Sequence, residues 1–126
     1  MGSKVLVKSV SGVRGIIGKG LTPALAATYG AGFGTLLKRG TVVVGRDPRP
    51  SGEMIAHAVV SGLVSTGVKV IYIGVVPTPT VEIAVKDLEA SGGICVTASH
   101  NPAPWNALKF FNKRGEFITP KEYKKL

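Results

Sequence analysis

A single cysteine, Cys95, stands in the 126-residue sequence, so no disulfide can form within the chain. Cys95 lies in an apolar stretch and reads as a small core residue. No apolar run approaches the ~18 residues that span a bilayer, and the first residues lack the pattern of a signal peptide. The cytoplasm is therefore the expected compartment, with no membrane partner. Acidic residues are scarce: 7 Asp and Glu stand against 16 Lys and Arg, a net charge of +9. That excess attracts anions. Yet no basic run occurs and arginines do not interleave with aromatics, so the charge does not read as a nucleic-acid surface.

What is present is alternation. "KVLVKSV" (4–10) alternates apolar and polar, as a half-buried strand does. "SGVRGIIGKG" (11–20) reads as a glycine-rich loop holding Arg14. Thr22 and Pro23 start a helix running to about Lys38 and ending at Gly40. Its small residues Ala27, Gly30, Ala31 and Gly34 allow close packing. "TVVVG" (41–45) is a short strand, and Ser51 is placed to cap a second helix reaching about Thr66. That helix turns Met54, Ile55, Ala58, Val59 and Leu63 toward a core. Strands follow at 68–74, 92–97 and 106–112, with a short helix from Thr80 to about Leu88. Thr119-Pro120 repeats the cap-and-proline helix start.

Strands alternating with helices imply a three-layer α/β/α sandwich around a mostly parallel mixed sheet. In such sheets ligands bind beyond the carboxyl ends of the strands. The polar stretches "SGVRG", "RDPRPSG", "VVPTPT" and "TASHNP" each follow a strand and should gather on one rim.

Ser99 sits at the mouth of the strand "GGICVT", with His100 beside it. A hydrolytic serine needs a base and an orienting acid. The G-x-S-x-G elbow is missing here, and adjacent residues usually point apart. A metal site from His57, Cys95 and His100 matches no ligand spacing. Phosphate chemistry fits better. A phosphoserine carries nearly two negative charges and needs cations and donors. The rim offers Arg14, Arg46, Arg49, His100, Lys109 and the amide of Asn101.

"SGVRG", "GRDPRPSG", "GVVPTPT", "TASHNP" and "WNALKFF", in that order and spacing, resemble the α-D-phosphohexomutase family. That family includes phosphoglucomutase/phosphomannomutase and phosphoglucosamine mutase. The resemblance covers nearly the whole chain. It implies interconversion of glucose or mannose 1-phosphate and 6-phosphate through a bisphosphate, with a hexose 1,6-bisphosphate as activator. It implies that Ser99, in the loop 97–102, is the phosphoryl carrier and a Mg²⁺ ligand through its phosphate. Arg14 matches the arginine that contacts the phosphoserine, and His100 and Asn101 belong to the same loop. Lys109 matches a lysine doing acid–base work near the reacting hydroxyl, a task suited to an amine desolvated beside other cations.

Members of the family have four domains, and residues 1–126 match the first. The metal loop, roughly D-G-D-x-D-R, does not occur, and the 7 acidic residues are not clustered. The remaining domains are thus the expected partners, and the chain alone should fold but turn over little or nothing. Apolar surface left uncovered favours self-association. Phosphoglucosamine as the sugar, and a phosphosugar-binding module without chemistry, are the alternatives.

Overall fold

A computed structural model describes residues 6–9, 12–98 and 101–123. In chain order the elements are β1 (Leu6–Ser9), β2 (Gly12–Ile16), α1 (Pro23–Leu37), β3 (Thr41–Arg46), α2 (Gly52–Ser65), β4 (Lys69–Val75), α3 (Thr78–Asp87), β5 (Gly92–Val96), β6 (Trp105–Asn112) and α4 (Pro120–Tyr123). The strands form one six-stranded sheet in the order β1-β2-β6-β5-β3-β4. β3 pairs in parallel with both β4 and β5, whereas β1–β2, β2–β6 and β5–β6 are antiparallel.

The sandwich and the mixed sheet are as expected from the sequence, but the antiparallel share is larger. The cause is residues 12–16, expected in a loop and found as strand β2. The glycines suggested a loop; Gly12 serves instead where β2 crowds against β6. A Cβ on Gly12 would lie 1.9 Å from the carbonyl oxygen of Leu108, so only glycine fits there.

Pleating sorts the apolar residues into two cores. Val42, Val44, Ile94, Val96, Leu108 and Phe110 face α1 and α2. Val43, Cys95 and Phe111 face α3. The first core centres on Phe110, whose ring lies 5.2 Å from that of Phe33 and 6.1 Å from that of Tyr29.

Helix signals are used where the sequence puts them, with local exceptions. Thr22 Oγ1 accepts from the Leu25 amide at 3.1 Å. At the other end Lys38, not Gly40, takes the positive φ, at 60°. Gly40 is needed for room, since a Cβ there would meet Ser91 Oγ at 2.1 Å. Ser51 precedes α2 without a side-chain cap bond. α3 begins at Thr78, earlier than the proline pattern suggested, because a proline in the first turn removes an amide that has no helical partner anyway. Thr119 and Glu122 form a capping box: the Glu122 amide donates to Thr119 Oγ1 at 3.1 Å, and the Thr119 amide to Glu122 Oε1 at 2.9 Å.

Close packing of α1 on α2 corrects one helical face. Ile55, Ala56, Val59, Gly62 and Leu63 are buried, while Met54, expected inward, is exposed. The face is rotated toward α1, where Gly30 approaches the Val59 carbonyl and Gly62 that of Ala27.

Candidate active site

The parallel strands β3, β4 and β5 deliver their carboxyl-end loops to one side: residues 47–51 after β3, 76–77 after β4 and 97–104 after β5. β6 runs antiparallel to β5, so its first residues belong to the same end.

Register places two of the expected cations. Arg14 on β2 is paired with Ala107 on β6, and Gly12 with Lys109. Directly paired residues in an antiparallel ladder share a face, as do residues two apart on a strand. Arg14 and Lys109 therefore project from the same face, as diagonal neighbours about 7–8 Å apart at the backbone. It is the α3 face, since Lys109 alternates with Phe111 and pairs with Cys95. Lys109 is half-buried and Arg14 exposed. Arg14 has no ion-pair partner among the described residues.

The row containing Arg14 continues to the serine loop. The amide of Thr97 donates to the carbonyl of Ala107, the residue facing Arg14, at 3.0 Å. Ser99 and His100, expected as the carrier and its neighbour, lie outside the described residues. Asn101 is described, and its amide donates to Ala98 O at 3.0 Å.

Arg46 and Arg49, expected among the cations of an anion site, have other partners. Arg46 Nε donates to Tyr72 Oη at 2.9 Å, and its Nη1 to Asp47 O at 3.2 Å. Arg49 donates from Nη2 to Asn101 O at 2.7 Å and from Nη1 to Pro102 O at 2.8 Å and Trp105 O at 3.2 Å. Its Nε donates to Asp47 Oδ2 at 3.2 Å. The side chains of Arg49 and Asp47 are only 14% and 20% exposed, so water competes weakly for these bonds. Charge-assisted hydrogen bonds of this kind contribute about 1.5–3 kcal/mol each.

Asp47 was not singled out from the sequence, and it joins both sides of the loop. Besides Arg49 it accepts from Thr97 Oγ1 at 2.8 Å, and its amide donates to Val96 O at 3.0 Å. The legible signal was "DPRP": two prolines block a helix, and Asp47 Oδ1 accepts from the Arg49 amide at 3.1 Å, an Asx turn. Asn106 was also missed. Fully buried, it donates from Nδ2 to Ser51 Oγ at 3.0 Å and accepts from the Ala107 amide at 2.8 Å. It ties the start of β6 to the start of α2, and explains why Ser51 makes no cap bond.

Beneath the row, Cys95 is fully buried. Burial pushes its thiol above the ordinary range, against the hydrogen-bonded Thr78 and the charge of Lys109, which pull it down. His57, on α2, is exposed with its ring 6.3 Å from that of Tyr72, away from this site.

Comparison with known proteins matches residues 6–126 to the family model described as phosphoglucomutase/phosphomannomutase, alpha/beta/alpha domain I. The chain belongs to this phosphohexomutase family. A phosphoglucomutase/phosphomannomutase of Thermococcus kodakarensis is 49% identical over 109 residues, which are 82% of this chain and 24% of that protein. A phosphoglucosamine mutase of Leuconostoc mesenteroides is 46% identical over 112 residues, 82% of this chain and 25% of the relative. Among solved structures, a phosphoglucomutase/phosphomannomutase family protein from Burkholderia thailandensis superposes with a TM-score of 0.82 at 32% identity. That match covers 94% of this chain and 29% of the other. The chain thus spans about a quarter of the length of the curated phosphohexomutases it matches.

For a divalent cation the donor set is poor. Among the described residues no three His, Cys, Asp or Glu side chains come together. Asp47, an acidic side chain bonded at the serine loop, already accepts from Thr97 and Arg49. These residues do not form a metal cage on their own. No helix among the described residues is long and apolar enough to cross a membrane.

Proposed function

We propose that this chain is the first domain of a phosphohexomutase and that Ser99 is its phosphoryl carrier. The phosphorylated serine gives its phosphoryl group to a hydroxyl of a hexose phosphate. The sugar oxygen bonds to phosphorus as the bond to Ser99 Oγ breaks. The resulting bisphosphate then returns its other phosphoryl group to Ser99. Lys109 takes and returns the proton of the reacting hydroxyl. Arg14 balances the charge of the phosphoserine, and His100 and Asn101 shape the loop around it. Such transfer depends chiefly on positioning and charge neutralisation.

Family membership carries this reading. Two features support it: Arg14 and Lys109 share one face, and the Arg14–Ala107 pair leads to Thr97 at the root of the serine loop. The Mg²⁺ that the resemblance implies would be held by the phosphoserine and by ligands from outside this chain. The other domains of a longer, cytoplasmic protein would supply those ligands and the sugar contacts.

A coupled assay with glucose 1-phosphate and glucose 1,6-bisphosphate tests the assignment on the complete protein. Ser99→Ala should lower turnover by orders of magnitude; near-normal turnover refutes the carrier role. The 126-residue chain alone should be inactive in the same assay, and robust activity would overturn that expectation. A second reading replaces the glucose and mannose phosphates with phosphoglucosamine. The name carried by the Leuconostoc relative favours it. Comparing kcat/KM for the three sugar phosphates decides between them. Phosphosugar binding with no turnover of any would favour a binding module.

A further inference from the structure

The Asp47–Arg49 pair holds both flanks of the serine loop. On the entering side, Asp47 accepts from Thr97 Oγ1 at 2.8 Å and its own amide bonds to Val96 O at 3.0 Å. On the leaving side, Arg49 donates to the carbonyls of Asn101, Pro102 and Trp105 at 2.7, 2.8 and 3.2 Å. Between the two halves runs the ion pair, Arg49 Nε to Asp47 Oδ2 at 3.2 Å. A guanidinium suits this task because its donors are fixed in one plane and reach several acceptors at once. An ammonium on a flexible stem cannot reproduce that fork. The carbonyls take the donors of Arg49, and Asp47 offsets its charge. These bonds give it the chemistry of a brace.

We infer that Arg49, oriented by Asp47, is a positioning residue for phosphoryl transfer: it fixes the backbone before and after Ser99 so that the hydroxyl meets the sugar in line. This rests on the carrier role of Ser99 and extends it to the motif "RDPR", whose arginines composition alone would assign to phosphate. The geometry of in-line transfer is exacting, and a shift of about 1 Å can cost about 10²-fold in rate. The brace acts on transfer and leaves sugar binding to other groups, so its loss should lower kcat and spare KM.

The test compares Arg49→Lys, Arg49→Met and Thr97→Val with wild type and Ser99→Ala. In the complete protein, Arg49→Lys should lower kcat about 10²-fold with little change in KM. In the 126-residue chain, Arg49→Met should speed hydrogen exchange of the Asn101 and Trp105 amides by at least about tenfold. Exchange in β3 and β5 should stay as in wild type. Trp105, the sole tryptophan, adds a second signature, because its emission should shift when its carbonyl loses Arg49. Thr97→Val breaks the entering side alone and keeps the test open should Arg49→Met fail to fold. Wild-type kcat in Arg49→Lys, beside an inactive Ser99→Ala, overturns the inference and leaves the carrier role intact. An active Ser99→Ala overturns the carrier role, and the inference with it. Faster exchange spread over the whole sheet would mark a merely structural residue and also overturn it.

Discussion

Replacing Gly62 with alanine puts a methyl group where α2 meets α1. The new Cβ would lie 2.0 Å from Ala27 O and 2.9 Å from Ala31 N, both backbone atoms of the facing helix. Neither can rotate away, so the helices must part by about 1 Å in an interior packed as densely as an organic crystal. Overpacking of this kind costs about 1–3 kcal/mol, and a backbone obstacle belongs at the upper end. Alanine's better helix propensity returns about 1 kcal/mol. The net expectation is a loss of about 2 kcal/mol. Gly34→Ala is the internal control. Its Cβ would meet Thr66 Oγ1 at 2.1 Å, but that is a side-chain hydroxyl able to turn aside. Turning sacrifices its bond to Leu63 O, 2.7 Å long. That loss of about 1 kcal/mol is offset by helix propensity, leaving Gly34→Ala near neutral. Urea unfolding followed by far-UV circular dichroism measures both. Equal stability of the two variants, or a Gly62→Ala more stable than wild type, would refute the close-contact argument.

Three further outcomes are expected. Lys38 holds φ 60° and ψ −128°, a conformation easy only for glycine; Lys38→Gly should raise unfolding free energy by about 1 kcal/mol, and a loss in the same urea titration would contradict that. Cys95 should react with a thiol reagent only as fast as the chain opens. Because its thiol ionises at higher pH when folded, its contribution to stability is complete below the thiol's ordinary range and is lost as pH rises through the folded value. Urea midpoints measured across alkaline pH for wild type and Cys95→Ala check the sign, and a wild type stabilised by alkali relative to the variant would contradict it. Lys109→Met should abolish most turnover of the complete protein without changing its circular dichroism; unimpaired turnover would remove the lysine from the proton path.

The sequence made the parallel half of the fold legible because its cues are local. The valine run at 41–45 and the Thr22-Pro23 start each act within one turn or strand. β2 was hidden because Gly12 answers a non-local demand, the nearness of the Leu108 carbonyl, which no window around residue 12 contains. Met54 was misplaced for a related reason: α2 is rotated by its contact with α1, which its own periodicity does not encode. In the candidate site, Arg14 and Lys109 are proposed from motif order, and register puts them on one face. The bonding of Arg49 was not legible, because its carbonyl partners lie 52 to 56 residues away in sequence. Charge alone therefore assigned it to the anion.

The central claim is that residue 99 carries the phosphoryl group. The most direct measurement is mass spectrometry of peptides from the complete protein after incubation with glucose 1,6-bisphosphate. The account predicts one phosphoryl group, on Ser99, which leaves when hexose phosphate is added. Phosphate on another residue, or an active mutase with Ser99 unmodified throughout turnover, would contradict it.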